Sequence, residues 1–167
     1  DNSTGIRAWS SSRLVPGLWV RPGAAVDGDD GTGWVAARDD SQPRLTLHLP
    51  EQREVAGLRF VNDDALPASR PRQVSVTFSD GTEVSGTVGD DGLMRFDPRE
   101  TRRLVLRFGS SYPLENISSR GGLRTVAPVG ASEVRVLGAE DLSRAVSPGR
   151  ETGAQCGFGP SVTINGT

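Results

Sequence analysis

Residues 24–34 read AAVDGDDGTGW and concentrate glycine and acidic residues in one short segment. Glycine frees the backbone and aspartate side chains compete for its hydrogen bonds, so the segment is predicted to form a tight loop rather than the interior of a helix or strand. Asp27, Asp29 and Thr32 carry oxygen atoms of the kind that Ca²⁺ binds. The residues alone leave two interpretations open: a calcium-binding loop, or a solvated acidic turn between two strands.

The residues after this loop exclude an EF-hand and predict a strand. An EF-hand loop carries a bidentate Glu at its twelfth position, on a following helix. Here residues 34–36 are Trp-Val-Ala, a sequence typical of a strand. Trp34 is predicted to lie in the core and to anchor the acidic loop.

Apolar and polar residues alternate in several short segments downstream. The sequence RLTLHL at 44–49 places three leucines on one face, and residues 58–60 repeat the pattern. Residues 74–78 and 84–88 flank an Asp80-Gly81 hairpin turn, and further short strands are predicted at 93–96, 104–108 and 134–137. Residues 109–130, rich in Ser, Gly and Pro, are expected to form a long rim loop. The predicted fold is all-β, an antiparallel β-sandwich.

Composition narrows the possible partners. The 167 residues carry a net charge of -2, and all 19 basic residues are arginine. This balance argues against a nucleic-acid partner, which a basic stripe would indicate. No apolar run is long enough to cross a membrane. Cys156 is the single cysteine, so the fold is predicted to need no internal disulfide.

The sequence lacks the motifs of the common enzyme classes. It contains no phosphate-binding loop and no Gly-x-Ser-x-Gly turn, and its one histidine, His48, falls on the polar side of a strand. The acidic pairs at 39–40 and 63–64 are adjacent residues on extended loops, where they are more often turn formers than catalytic pairs. The segment itself is therefore predicted to be non-catalytic.

The motifs AVDGD at 25–29, Thr32 with Trp34, and SEVRVLG at 132–138 together resemble the discoidin (coagulation factor type C) and galactose-binding-like carbohydrate-binding modules. The resemblance covers about residues 20 to 140 and implies a galactose-binding-like jelly roll. In that family, the first loop and the start of the last strand meet around one structural Ca²⁺. The resemblance implies these ligands: Ala24, Asp27, Asp29, Thr32, Ser132 and Glu133.

The arginine-rich style, PVGASE at 128–133 and the tail CGFGP at 156–160 are similar to modules appended to actinobacterial membrane α-(1→3)-arabinofuranosyltransferases. This similarity implies a segment of a larger extracytoplasmic region in the periplasm or cell envelope. Its partners would be the other domains of a membrane-anchored parent and a cell-wall polysaccharide, arabinan or arabinogalactan. Residues 1–140 are predicted to form the module, and 141–167 a linker and the start of a following segment.

Two loops carry planar hydrogen-bonding groups suited to sugar hydroxyls, and related modules face their ligand with these loops. Trp19 is the candidate aromatic platform for stacking against a sugar. A half-buried position that closes one end of the core is favoured for it. No diagnostic aromatic or histidine of the family can be matched, which favours the alternative of a structural interaction module without sugar binding. The candidate sugar-binding residues are Trp19, Arg38, Asp39, Asn62, Asp63 and Arg70.

Overall fold

The computed structural model describes residues 5–15, 20–64, 66–117 and 124–143. Short 3₁₀ helices lie at Pro22–Val26 and Glu140–Leu142. The strands of the described residues are β1 (Arg7–Ser10), β2 (Trp34–Val35), β3 (Arg44–Val61), β4 (Arg70–Thr77), β5 (Glu83–Thr87), β6 (Leu93–Tyr112), β7 (Glu115–Ile117), β8 (Arg124–Val126), β9 (Gly130–Ala131) and β10 (Glu133–Leu137).

The strands form one large sheet and two small ones. The large sheet has the order β1-β3-β6-β4-β5, with β10 also pairing with β3. β2 pairs with β9, and β7 pairs with β8. All of these named strand pairs are antiparallel. The predicted all-β antiparallel sandwich is confirmed.

Alternation along the central strands builds the core. Leu45, Leu47 and Leu49 of β3 are buried, as are Leu104 and Leu106 of β6, while the residues between them face outward. Leu45 lies opposite Leu106 and Leu47 opposite Leu104, so the two strands present one apolar face. The predicted burial of this leucine face is confirmed.

Two predictions about strand boundaries are wrong. Residues 44–49 and 58–60 belong to one 18-residue strand, β3, and residues 93–96 and 104–108 belong to the 20-residue strand β6. Register shifts between His48/Arg53 and Val55/Gly57 interrupt the alternation, which hid the continuity. The predicted rim loop at 109–130 is also wrong in part, because β6 extends to Tyr112 and the pair β7–β8 follows.

The two halves of β3 pair with different strands, which decides what lies beside the acidic loop. The first half of β3 pairs with β1 and the second half with β10. β10 therefore begins opposite the end of β3, with Glu133 as the partner of Val61. The predicted site residue Trp19, Cys156, and nearly all of the predicted linker and following segment at 141–167 lie outside the described residues.

Candidate functional site

The acidic loop folds onto the start of the last strand. The backbone N–H of Gly28 donates to Oε2 of Glu133 at 3.2 Å, across 105 positions of sequence. Nη2 of Arg135 lies 3.0 Å from Oδ1 of Asp30, which adds an ion pair between β10 and the loop. The structure thus brings together the two chain segments that the family resemblance pairs.

Three of the implied ligands lie against one another inside the loop. The Thr32 hydroxyl donates to the Asp27 carboxylate, at 3.3 Å to Oδ1 and 3.2 Å to Oδ2. The same hydroxyl lies 3.3 Å from the Asp29 carbonyl oxygen. The Asp29 N–H donates to Oδ1 of Asp27 at 3.1 Å. A carboxylate, a carbonyl and a hydroxyl therefore converge, and these are hard oxygen donors.

Glu133 is the unusual residue of this arrangement. Its side chain is completely buried, and its Oε1 has no hydrogen-bond partner. Burial, with a smaller contribution from the charge of Asp27, raises the pKa of Glu133 from the ordinary 4.5 to about 7. Burial also raises the pKa of Asp27. Two carboxylates are thus held in a place that disfavours their negative charge.

These observations fit a divalent cation. An ionised carboxylate is costly to bury unless it is paired or binds a metal, and the unpartnered oxygen of Glu133 is available for that purpose. Among the described residues, no three His, Cys, Asp or Glu side chains form a metal-holding group, so backbone oxygens would have to complete the shell. Ala24 and Ser132, the remaining implied ligands, are both buried beside the loop and the strand.

Ser132 connects this region to a second loop. Its N–H donates to the Val61 carbonyl at 2.8 Å, and its Oγ accepts from the N–H of Asp63 at 2.8 Å. The start of β10 is therefore tied to the loop after β3. Ser132 thus contacts both the end of β3 and the loop that follows it.

A cleft of about 260 Å³ lies beside that second loop. Asn62 and Arg70, two of the predicted sugar-binding residues, line it together with Tyr112 and the turn at 89–92. The Asn62 amide donates to the Gly130 carbonyl at 3.0 Å, which fixes its orientation. The cleft is thus lined by an amide, a guanidinium and the carboxylate-bearing turn of Asp90 and Asp91.

Tyr112 forms one wall of this rim cleft. Its hydroxyl donates to the Val88 carbonyl at 3.2 Å. The guanidinium carbons of Arg70 and Arg72 lie 5.2 and 5.5 Å from the centre of its ring. The ring is held firmly, and two cations lie against its face.

The structure does not bring all predicted sugar-binding residues together. Arg38 and Asp39 are exposed on the turn at 37–40 and do not line the rim cleft. Asp63 is also exposed and outside the lining, although its N–H contacts Ser132.

Sequence reasoning missed several residues of the two sites. Tyr112 falls in the predicted rim loop at 109–130, and no contact is predicted for it. The alternation at 104–108 precedes Tyr112 and could have indicated a strand that continues to this residue. Asp91-Gly92 is typical of a turn, but the sequence does not indicate that this turn forms a wall of the cleft. Nothing in the sequence indicates that Arg135 pairs with Asp30, because the two residues are 105 positions apart.

No helix within residues 5–15, 20–64, 66–117 and 124–143 is both long and apolar enough to cross a bilayer.

An α-(1→3)-arabinofuranosyltransferase of Mycolicibacterium smegmatis is 30% identical over 156 residues, which is 86% of this chain and 11% of the relative. The chain therefore spans about a tenth of the length of the curated relatives it matches.

Solved structures share the fold. A cryo-EM structure of arabinofuranosyltransferase AftD from Mycobacteria matches with a TM-score of 0.70 and 21% identity, over 84% of this chain and 11% of that chain. CpGH89CBM32-5 from Clostridium perfringens, in complex with GalNAc-β-1,3-galactose, matches with a TM-score of 0.61 and 16% identity, over 81% and 96% of the two chains.

The family comparison agrees with the resemblance that the motifs indicated. The matching model is described as arabinofuranosyltransferase D, third carbohydrate binding module, and it covers residues 4–148. Modules of this type bind rather than catalyse, so the segment is non-catalytic, as predicted. The chain belongs to the family of the third carbohydrate-binding module of arabinofuranosyltransferase D.

Proposed function

We propose that this module is stabilised by calcium and holds cell-wall arabinan or arabinogalactan for an attached arabinofuranosyltransferase. The observation that carries the proposal is the rim cleft, where Asn62, Arg70 and Tyr112 meet the turn at 89–92. Its volume of about 260 Å³ is at the lower end of small-molecule pockets, so it suits a short stretch of saccharide.

The chemistry of the cleft matches sugar hydroxyls. The Arg70 guanidinium supplies planar donors, and the Asp90 carboxylate supplies acceptors, together with the Asp91 oxygen that does not accept from the Leu93 N–H. Asn62 has its amide nitrogen engaged with Gly130, which leaves its side-chain carbonyl oxygen available as an acceptor. A ligand held by such groups is oriented through its hydroxyls and binds weakly, because water competes for every hydrogen bond.

In this proposal, Ca²⁺ neutralises the carboxylates of Asp27 and Glu133 and holds the first loop against β10. The remaining ligands would be Ala24, Asp29, Thr32 and Ser132. The ion has a structural role, since the rim cleft is lined by none of these six residues. Its effect on sugar binding would pass through Ser132 and the loop that begins at Asn62.

The proposal places the module outside the cytoplasm, in the periplasm or cell envelope, as part of a membrane-anchored parent. The relatives named arabinofuranosyltransferases support an attached transferase, and the module spans only 11% of their length. A module that keeps the polysaccharide acceptor close would raise its effective concentration at the catalytic domain. That advantage requires only weak binding by the module itself.

Titration of the 167-residue chain with arabinan and galactan oligosaccharides, followed by NMR chemical shifts, tests the proposal. We expect shifts at residues that line the rim cleft. Arg70→Gln and Asn62→Ala should each weaken binding by about tenfold, because each removes a hydrogen-bonding group from the cleft. Arg13→Gln is the matched control, since Arg13 is an exposed arginine outside the cleft lining.

The variant Arg38→Gln tests whether the sugar site is confined to the rim cleft or extends to the turn at 37–40. Arg38 does not line the rim cleft, so this variant should bind as the unchanged chain does. A loss of affinity equal to that of Arg70→Gln would enlarge the site to include the turn at 37–40. No shifts at millimolar concentration across the oligosaccharide panel would refute sugar binding.

The packing of Arg70 and Arg72 against the Tyr112 ring favours a second candidate function, a structural interaction module without sugar binding. Two arginines occupy the space against its ring, so it offers no open platform for stacking a sugar. Leu114 and Val126 are 41% and 54% exposed near the same rim, where Ala127 donates its N–H to the Leu114 carbonyl. These side chains suit contact with a neighbouring domain of a parent protein.

The two candidate functions predict different effects of one double variant on domain assembly and on oligosaccharide binding. If the module is structural, Leu114→Ser with Val126→Ser should weaken its assembly with the parent's other domains while the oligosaccharide titration stays silent. If it binds sugar, the same double variant should leave the rim-cleft shifts intact. A pull-down of the parent fragment together with the titration therefore separates the two functions.

A further inference from the structure

Two rows of basic residues cross the outer face of the large sheet, away from the rim. In one row, Arg7 of β1 is the partner of His48 of β3, which is in turn the partner of Arg103 of β6. In the other row, Arg44 of β3 is the partner of Arg107 of β6. The side chains of each row point outward, because they occupy the exposed phase of their strands.

A groove lies between the two rows. The residues at its floor are Thr46, Val105 and Thr77 on successive strands, and Trp9 stands at one end beside Thr46. The groove encloses about 490 Å³. Trp9 is 50% exposed, which is unusual for so large an apolar side chain, and its ring packs edge-on against His48 at 4.9 Å.

Three exposed arginines of this arginine groove form no ion pair among the described residues. Arg44, Arg103 and Arg107 are exposed, and no carboxylate of the described residues lies within 4.0 Å of their side-chain nitrogens. Two carboxylates border the groove: Asp40 accepts from the hydroxyl of Ser11, and Glu83 of the edge strand β5 accepts from the hydroxyl of Thr77. The three arginines leave an excess of positive charge. The cluster is notable in a chain whose net charge is -2.

We propose that the arginine groove is a second binding site, separate from the rim cleft, for an anionic saccharide whose rings carry carboxylate or phosphate groups. The flat face of Trp9 would receive the C–H face of a sugar ring at the end of the groove. Arg103 on one side and Arg107 with Arg44 on the other would pair with the anions through bidentate hydrogen bonds. This site goes beyond the proposed function, which concerns a neutral glycan at the rim.

The shape of the groove favours a saccharide chain over a flat anionic surface. Four strands at about 4.8 Å spacing give the groove a length of roughly 14 Å, with its floor below the two rows. A second hollow of about 750 Å³ continues beyond the Arg7 row and shares Trp9 and Arg103 with the groove. A chain of rings can follow this path, whereas a bilayer surface would meet only the arginine tips.

Calorimetric titration of the 167-residue chain at low salt tests the proposal. The probes are trigalacturonate for a carboxylate, mannose 6-phosphate for a phosphate, galactotriose as the neutral counterpart, and inorganic phosphate. We expect at least one anionic saccharide to bind at least about tenfold more tightly than galactotriose or inorganic phosphate. Arg107→Gln and Arg103→Gln should each weaken that binding about tenfold, and raising the salt should weaken it further.

Matched variants assign the binding to the groove. Trp9→Phe should keep most of the affinity while Trp9→Ala loses it, because an aromatic ring suffices for stacking. Arg95→Gln, an exposed arginine elsewhere on β6, should bind as the unchanged chain does. The arginines are exposed side chains, so their removal leaves the core intact, and thermal unfolding verifies the fold of each variant.

Three results would overturn the proposal. One is the absence of heat with both anionic saccharides at millimolar concentration. Another is binding of inorganic phosphate as tight as that of mannose 6-phosphate, which would leave no role for the sugar ring. The third is binding to phosphatidylglycerol vesicles that depends on Arg103 and Arg107 while the saccharides do not bind, which would assign the groove to a membrane surface.

Discussion

At the scale of single residues, Glu133 decides most of the chemistry of the first loop. A glutamate that is fully buried, with one oxygen bonded to Gly28 and the other unpartnered, opposes folding when it is ionised. A bound cation would reverse that cost, because the same carboxylate would then be a ligand. The residue therefore links the stability of the module to pH, and in the proposed function it would link it to calcium as well.

Without calcium, the module should become less stable as pH rises. The folded pKa of Glu133, about 7, lies above the ordinary 4.5, so the folded state binds this proton more tightly than the unfolded state. The stabilisation is complete below pH 4.5 and is lost as pH rises through 7, by about 3 kcal/mol. Urea unfolding in EDTA from pH 4.5 to 8 measures this change. Glu133→Gln should flatten the curve, and equal slopes in both proteins would contradict the assignment.

Millimolar calcium should raise the unfolding midpoint by several degrees relative to EDTA at pH 7.5, because a ligand that binds only the folded state stabilises it. Asp27→Asn and Glu133→Gln should each abolish the rise. Asp30→Asn is the matched control in the same loop, since Asp30 pairs with Arg135 and is not among the implied ligands. A rise that persists in Glu133→Gln would place the ion elsewhere.

At the scale of elements, the turn at 89–92 packs against β3 so closely that no side chain fits at Gly92. Gly92 has φ +78, and an added Cβ would lie 2.2 Å from the Phe60 carbonyl oxygen. The Phe60 N–H also donates to the Gly92 carbonyl at 2.8 Å. This contact fixes Asp90 and Asp91 as one wall of the rim cleft.

Gly92→Ala should therefore destabilise the module and disturb the rim cleft. The strained φ costs on the order of 1 kcal/mol, and the clash with backbone atoms of β3 adds to it, so we expect a total of about 3 kcal/mol. Gly81→Ala is the matched control, because Gly81 has a similar φ of +83 but nothing within 4 Å of an added Cβ. Chemical denaturation compares the two, and equal losses would show that the close approach to Phe60 has no energetic weight.

At the scale of the whole molecule, Trp34 holds the acidic loop to the core. It is completely buried at the start of β2, and its ring packs against Phe108 of β6 with centroids 5.4 Å apart. Its Nε1–H donates to the Ser12 carbonyl at 2.8 Å, so the indole is also satisfied as a donor. One side chain thus joins the small sheet, the large sheet and the segment after β1.

Trp34→Ala should cost about 3 to 5 kcal/mol, because it leaves a large cavity and an unpaired carbonyl. For a domain of this size, that loss lowers the unfolding midpoint by roughly 10 °C. Trp9→Ala is the matched control, since Trp9 is half exposed and its loss should cost about 1 kcal/mol or less. Differential scanning calorimetry of both variants provides the comparison, and similar midpoints would contradict this account of the core.

Local patterns in the sequence were sufficient for the fold class and for the position of the loop. Period-two alternation in residues 44–49 identified the buried face, because side chains on a strand alternate strictly. The Asp80-Gly81 hairpin followed from turn chemistry, and Gly81 has the positive φ that the turn requires. The family motifs also paired the first loop with Glu133, and the structure places the two in contact.

Long-range packing decided the rest. Residues 44–49 and 58–60, predicted as separate strands, belong to the single strand β3, whose pairing with β6 shifts register twice. The positions of these shifts depend on the partner strand rather than on local propensity. The rim cleft combines Asn62, Arg70 and Tyr112 from three segments of the chain, while Arg38 does not line it. The arginine groove likewise exists only because the register of β1, β3 and β6 aligns residues more than thirty positions apart. Sequence alone determined which residues face out, and tertiary structure decided which of them share a site, because register and loop docking depend on contacts between distant segments.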